Sequence, residues 1–573
     1  MAESSVPLLS RVRESQHPRM EKGEDNQDGL DQVSSRNDEP TTANLVASID
    51  PSEFEGLTLY EKKCVLINHE IDSNGMGKYQ WYIWFLCGFG YLLDLLWAQA
   101  FGLVLSPLEQ ELGFPPDQSG NISVAFSSGL TAGAFVWGVL VDIIGRRWAF
   151  NFTCLIAGAF GISLGGCNSY TAFLVVTAFN GFGVGGNIPI DTTICLEFIP
   201  QSKRFLLALL SIFQPLGVTI TVAIAYGFIP RYSCEPNFTA SDPLPSCNLA
   251  DPGEPCCTRD SNMGWRYTLF TLGAISLGIF GLRFFMFNFQ ESPKYLVYRG
   301  QDDKAIAVLE HIAKVNKRPC GVTKADFEAL TGEEDSQTSA TQLLGAGAAQ
   351  KKASLKDKIM IELARYRLLF NGWQMTYLTI LVWLTYIMDF WGFTLAGTFL
   401  PRIVALKNSQ LNLSLEYTYR TYFAIYTPGL VGVVLGSMMY AIPTFGRKIA
   451  MTVSSGLMGV SIFIFSVVNG QASNVGLNFM EYFFQSMFNA VLYGWTPEVF
   501  PAPIRGTACG VASFWGRLFG IIAPLTAQQL LPSDGEAEVS DYQKVLYLAG
   551  GITLGCVLTT AILPNHVLGK QSM

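Results

Sequence analysis

The chain has 573 residues, of which 49% are hydrophobic, 13% aromatic and only 15% charged. A soluble globular chain carries about 25% charged residues, so much of this surface is expected to face lipid rather than water. The net charge of −8 excludes the basic footprint that nucleic-acid binding needs.

Residues 1–50 are polar and lack the apolar content that would offset ordering, so they read as disordered. No stretch near the start has the apolar core of a signal peptide, and the first span is expected to serve as the insertion signal. Residues 53–72 can form a short amphipathic helix against the membrane face or a solvated linker.

A bilayer core of ~30 Å needs about 20 apolar residues of helix. Twelve stretches meet this length: 81–105, 120–141, 148–167, 171–198, 205–229 and 265–287, then 373–400, 421–441, 449–468, 475–497, 507–531 and 543–563. The expected fold is therefore an all-α membrane protein with two six-helix halves, 80–287 and 371–565. A tail at 1–79, a polar central loop at 288–370 and a short tail at 566–573 flank and join them.

Lys and Arg bias sets the expected orientation. With the N-terminus in the cytosol, the short inward loops hold Arg146, Arg147, Lys203, Arg204, Arg447, Lys448 and Arg505. The short outward loops at 106–119, 168–170, 469–474 and 532–542 hold no Lys or Arg. Both termini are thus expected in the cytosol, and the plasma membrane is favoured over an endomembrane.

Four cysteines, Cys234, Cys247, Cys256 and Cys257, crowd into the outward loop at 230–264. That placement predicts disulfides, with three pairings open. A metal site there is disfavoured, because the loop has no His and adjacent cysteines are poor ligand spacing. Asn237 and Asn412 head glycosylation triplets in outward loops.

The halves repeat. Tyr91 and Asp94 in span one match Tyr386 and Asp389 in span seven, with Pro107 and Pro401 following. Gly145, Arg146 and Arg147 match Gly446, Arg447 and Lys448, and Glu197, Pro200 and Arg204 match Glu498, Pro501 and Arg505. Three landmarks in one order, offset by 295, 301 and 301 residues, mark an internal duplication.

These landmarks resemble the major facilitator superfamily. The run from Gly138 through Asp142 to Gly145, Arg146 and Arg147 looks like that family's loop between spans two and three. The repeated E-x-x-P-x-x-x-R and the run Glu291, Ser292, Pro293 and Lys294 look like the sugar-porter signature. The glycine-rich run from Gly181 to Pro189 resembles the synaptic-vesicle-protein-like branch, which includes organic-ion, nicotinate and phosphate carriers and many fungal members. Pro443 departs from the pattern, standing where the second loop would carry Asp. The resemblance implies a secondary transporter working by alternating access. It also implies that spans one, four, seven and ten line a central cavity.

Asp142, Arg146, Arg147, Glu197, Arg204, Glu498 and Arg505 have the charges for a state-dependent cytoplasmic latch. Topogenic charge alone is the plainer alternative. The Gly181–Gly185 pair lies inside an apolar helix with no preceding strand, so close helix packing, not a dinucleotide loop, is expected.

Ionisable groups inside spans are costly and point to function. Here they are Asp94, Asp389, Asp191, Glu481 and Arg517. Desolvation favours the neutral carboxyl and a nearby cation the charged one, so such groups can exchange a proton as a cavity opens to each side. A structural buried pair is the alternative. Trp97, Gln99, Asn180, Asn187, Trp391 and Asn489 are candidate contacts to a polar solute. The expected function is transport of a small polar organic solute, a sugar, polyol or organic ion, coupled to protons, with membrane lipid the other partner and a monomer expected. No cofactor is called for. A non-transporting membrane sensor on the same fold is the alternative function. The four histidines, His17, His69, His311 and His566, all lie outside the spans, so no enzyme chemistry is expected.

Overall fold

The computed structural model describes residues 59–144, 146–240, 242–286, 290–334, 372–410, 413–442, 445–468, 470–500, 505–531 and 539–563, with a few single positions besides. The expectations for residues 1–50 and for Asn412 and Pro443 fall outside them, as do the side chains of Asp142, Arg146 and Arg505.

Helices follow the expected order. Spans one to six are Lys78–Leu112, Asn121–Ile144, Arg146–Gly165, Tyr170–Val184 with Asn187–Phe198, Phe205–Leu210 with Phe213–Phe228, and Gly264–Gly281 with Leu282–Met286. Spans seven to twelve are Trp373–Gln410, Leu415–Tyr426 with Gly429–Ala441, Phe445–Val467, Gln471–Val499, Arg505–Gln528 and Val539–Ile562. Among the described residues, ten stretches are long and apolar enough to cross a membrane. Asn121–Ile144 and Gln471–Val499 stand in the places of spans two and ten; the latter carries the polar groups Asn474, Asn478, Glu481 and Gln485.

Spans one and seven run past the prolines at which their apolar stretches end. Pro107 lacks an N–H, which frees the Leu103 carbonyl one turn earlier. The Tyr419 hydroxyl, from the other half, donates to that carbonyl at 2.7 Å. Span one then ends at Gly113, whose φ of 67° and N–H to the Glu109 carbonyl make a left-handed cap. The matching Pro401 sits inside span seven, and Gly102 packs on the Gly397 carbonyl one turn before it.

Small residues set the packing within each half. A Cβ at Gly181 or Gly185 would strike the Phe126 or Leu130 carbonyl of span two, so the glycine pair does pack helices closely. Gly129 and Gly133 meet span four at Ala178 and Phe182, and Gly432 and Gly436 of span eight meet span ten at Phe483 and Met487 in the same way.

The cysteine-rich loop carries two disulfides, Cys234–Cys257 and Cys247–Cys256. It folds down on the end of span one. Ser246 and Asn248 donate to the Glu111 and Leu112 carbonyls at 2.6 and 3.0 Å, satisfying groups a helix end leaves open.

On the opposite face, residues 59–74 form a helix packed on three further helices, Pro293–Tyr298, Asp302–Asn316 and Lys324–Glu334. Lys63 pairs with Asp302 at 2.6 Å, Arg318 donates to the Ser73 carbonyl at 2.9 Å, and the Gly321 N–H donates to Glu70 at 3.0 Å. Part of the central loop is thus a helical layer under the first half, and the helix at 59–74 lies on protein.

Candidate functional site

The two halves meet along spans one, two, four and five of the first and seven, eight, ten and eleven of the second. Near the cysteine-loop face Ser123 meets Thr398 at 2.7 Å, Gln528 donates to Asn121 at 3.0 Å, and Tyr226 donates to Glu416 at 3.1 Å. With Tyr419 on Leu103, these hydrogen bonds close the junction on that side. Deeper in, Gln99 of span one is within hydrogen-bond reach of Tyr426 of span eight, and Arg517 adds a further link.

Arg517 stands midway along span eleven, 3% exposed. Its Nη2 lies 3.9 Å from Asp94 Oδ1, its Nη1 donates to the Leu130 carbonyl at 3.4 Å, and its Nε donates to Ser513 at 3.3 Å. Asp94 and Leu130 belong to the first half, so one guanidinium ties the halves together at mid-depth. Tyr493 of span ten stands near Asp94, Arg517, Asp389 and Tyr386.

Asp389 is buried at the matching place in span seven, but its partner is an amide. With the Asn489 side chain oriented to donate, its nitrogen reaches both Asp389 oxygens at 3.0 and 3.2 Å. Glu481, two turns away on span ten, is 4% exposed and makes no hydrogen bond or ion pair among the described residues. It neighbours Tyr426 and Tyr482, whose rings meet edge to face at 4.8 Å. Gln99, from span one, also borders Tyr426.

A small cavity of about 10 Å³ lies along span ten from Tyr482, the residue next to Glu481, to Asn489. Tyr482, Gln485, Ser486 and Asn489 line it from span ten, Gln214 from span five and Phe393 from span seven. The positions 482, 485, 486 and 489 share one helix face, which is why a single span supplies most of the polar wall.

Asp191 stands apart. It pairs with Arg283 of span six at 3.2 Å, and both side chains are fully buried inside the first half. Arg283 also donates to the Leu86 and Phe150 carbonyls at 2.6 and 3.1 Å and to Cys154 Sγ at 3.0 Å. Reading the sequence missed Arg283 as a span residue; a basic residue 18 positions into an apolar stretch was the available signal. It missed Arg266 as well, which meets Glu111 at 2.5 Å and caps the end of span three through the Gly165 and Cys167 carbonyls.

Other candidates divide. The Trp97 indole is fully buried and donates to Ser276 of span six at 3.1 Å, so it faces into the first half, away from the junction. Asn180 donates to the Ala157 carbonyl of span three at 2.8 Å. Asn187, 1% exposed, finds no partner for either side-chain polar atom and sits where span four breaks after Val184. Trp391 packs on Phe519 at 5.3 Å with its N–H unpartnered.

At the face opposite the cysteine loop, Glu498 pairs with Arg447 at 2.9 Å; the Arg505 side chain that the repeat sets beside it lies outside the described residues. Arg447 also lies on the Tyr440 ring at 4.3 Å, and Arg204 of the first half is within electrostatic reach of Tyr440. Among the described residues Arg204 makes no ion pair with Glu197, and the exposed Arg147 gives only its backbone N–H, to Glu291 at 3.4 Å.

A family model described as Major Facilitator Superfamily matches residues 87–524. The chain is 35% identical to MFS siderochrome iron transporter 1 of Ceriporiopsis subvermispora, covering 92% of this chain and 95% of that protein. It is 32% identical to the major facilitator-type transporter hxnZ of Emericella nidulans, covering 86% and 87%. Among solved structures, the partially occluded inward-open xylose transporter XylE of E. coli matches with a TM-score of 0.58 at 15% identity, covering 85% of this chain and all of that one.

Proposed function

The chain belongs to the Major Facilitator Superfamily, and from that premise we propose that it carries a small polar organic solute across its membrane by alternating access, coupled to protons through Asp94 and Arg517. It is a transporter and not an enzyme. The observation that carries the coupling is the 3.9 Å approach of Asp94 to Arg517 across the junction of the halves. A proton on Asp94 removes its charge and weakens its hold on the guanidinium, leaving the long 3.4 Å bond to the Leu130 carbonyl as Arg517's remaining tie to the first half, so the junction loosens at mid-depth. Loss of that proton to the other side restores the pair. Asp191 takes no part in this reading, because Arg283 holds it within one half.

The names of the similar proteins speak of a siderochrome and of xylose, and they do not agree on a substrate. The Lys and Arg bias supports a cytosolic N-terminus and an outward cysteine loop, with the plasma membrane as the favoured location. The test is uptake into proteoliposomes of a panel of labelled sugars, polyols, organic anions and organic cations, with and without a pH gradient. Gradient-driven accumulation of one class, lost in Asp94→Asn, is expected. A transported solute indifferent to the gradient would overturn the coupling.

A further inference from the structure

The acids buried within the spans are not all matched by cations. Asp94 is matched by Arg517 and Asp191 by Arg283. That leaves Asp389 and Glu481, both buried, with no cation beside either among the described residues. Burying a carboxylate without a partner is strongly unfavourable, so such a group is kept for something that arrives.

Asp389 is at least fixed by the Asn489 amide. Glu481 has no such support. It stands eight residues before Asn489 on span ten, ~12 Å along the helix at 1.5 Å per residue. The cavity runs from Tyr482, the residue next to Glu481, to Asn489. Its wall includes Gln485, 3% exposed, whose Nε2 has no hydrogen-bond partner. At the Glu481 end two aromatic rings, Tyr426 and Tyr482, meet edge to face.

An unpaired carboxylate beside aromatic faces is the chemistry that holds an ammonium group, through charge and cation–π attraction together. We propose that the solute carries a positively charged amine or quaternary ammonium, held by Glu481 and the Tyr426 and Tyr482 rings. Its polar remainder extends toward Gln485 and the Asp389–Asn489 pair. The inference rests on the transport reading, yet concerns binding alone. The cavity seen here has room for no more than a water-sized molecule, so the solute enters when the halves part.

The test is binding to the purified full-length protein in lipid nanodiscs, read as a shift in melting temperature and by calorimetry. Choline and tetraethylammonium are the cationic probes, nicotinate the anionic and xylose the neutral one. Binding of a cation and not of nicotinate or xylose is expected, and Glu481→Gln should weaken it at least about tenfold, the loss of one charge-assisted contact. Glu481→Asp, which keeps the charge and withdraws it, and Tyr426→Leu, which removes one ring, give the same reading if Glu481→Gln does not fold. Binding of nicotinate or xylose with none by either cation overturns the inference, as does unchanged cation affinity in these variants. Cation binding that needs Glu481 without gradient-driven uptake would sink the coupling reading and leave this one standing. Proton-driven uptake of nicotinate by protein that binds no cation would do the reverse.

Discussion

Asp94 of span one and Arg517 of span eleven face each other at 3.9 Å across the junction of the two halves, both largely buried. No other described ion pair joins the halves, so this contact is where a proton can act on both. Asp94→Asn keeps the shape and removes the titration. It is expected to abolish uphill accumulation while leaving exchange of internal for external solute, which needs no net proton movement. Arg517→Gln should leave Asp94 buried without its cation and lower coupling as well. Full accumulation in Asp94→Asn, measured in proteoliposomes under a pH gradient, would move the coupling site elsewhere.

A second expectation concerns the crossing of spans one and seven. A Cβ at Gly102 would stand 2.8 Å from the Gly397 carbonyl, inside contact distance. Gly102→Val must push the spans apart, and overpacking of this kind costs about 1–3 kcal/mol. The closed junction near the cysteine loop should open. A cysteine placed at Ser486 would then react faster with a thiol reagent added on that side. Unchanged labelling with unchanged stability would mean the two spans shift freely past one another.

How the sequence reveals these features depends on whether the signal is axial or azimuthal. Depth in the bilayer can be counted along a helix, so Asp94, Asp389, Glu481 and Arg517 stood out, and the repeat paired the first two. Direction around the helix cannot be counted without neighbours. Trp97 is three residues from Asp94 and shares its depth, yet it points into the first half at Ser276. Arg283 escaped because its partner Asp191 lies 92 residues away, and Arg266 because Glu111 lies 155 away. The four cysteines were visible as a cluster, but their pairing was not, since three pairings fit the spacing.

The Arg266–Glu111 pair offers a contrast with the junction. It sits wholly inside the first half, with Trp265 donating to Glu111 at 2.8 Å and the indole ring under the guanidinium. Arg266→Met should strand the Glu111 charge and two carbonyls at the end of span three, a loss of about 3–5 kcal/mol. The variant should melt earlier, and whatever protein remains folded should keep its coupling ratio. A normal melting temperature with lost coupling would instead make this pair part of the transport cycle.

The two disulfides give a check on orientation. Cys234–Cys257 and Cys247–Cys256 hold the loop that caps span one. Mass mapping of protein from its native membrane, without reduction, should recover both links. Removing both should loosen Ser246 and Asn248 from the Glu111 and Leu112 carbonyls and lower thermal stability. Free thiols at all four positions would place the loop in a reducing compartment and reverse the orientation.

Asp389 occupies in span seven the place of Asp94 in span one, yet it meets an amide where Asp94 meets a cation. The duplication therefore yields two acids with different tasks. Asp94 can trade its partner for a proton, because Arg517 is held within its own half by Ser513. Asp389 has no cation to release, so its titration would not loosen the halves. Its charge instead adds to the field at the cavity, with Asn489 holding the carboxylate in place. Asp389→Asn can still hydrogen-bond to Asn489, and so should fold. It is expected to raise KM for a transported cation about tenfold or more, the loss of one charge near the solute, while the accumulation ratio at saturating solute holds. Asp94→Asn should show the opposite split, with KM nearly kept and accumulation lost. Initial-rate kinetics and steady-state accumulation, measured on both variants in the same proteoliposomes, separate the two. Loss of accumulation in Asp389→Asn at every solute concentration would make the second acid a coupling group too.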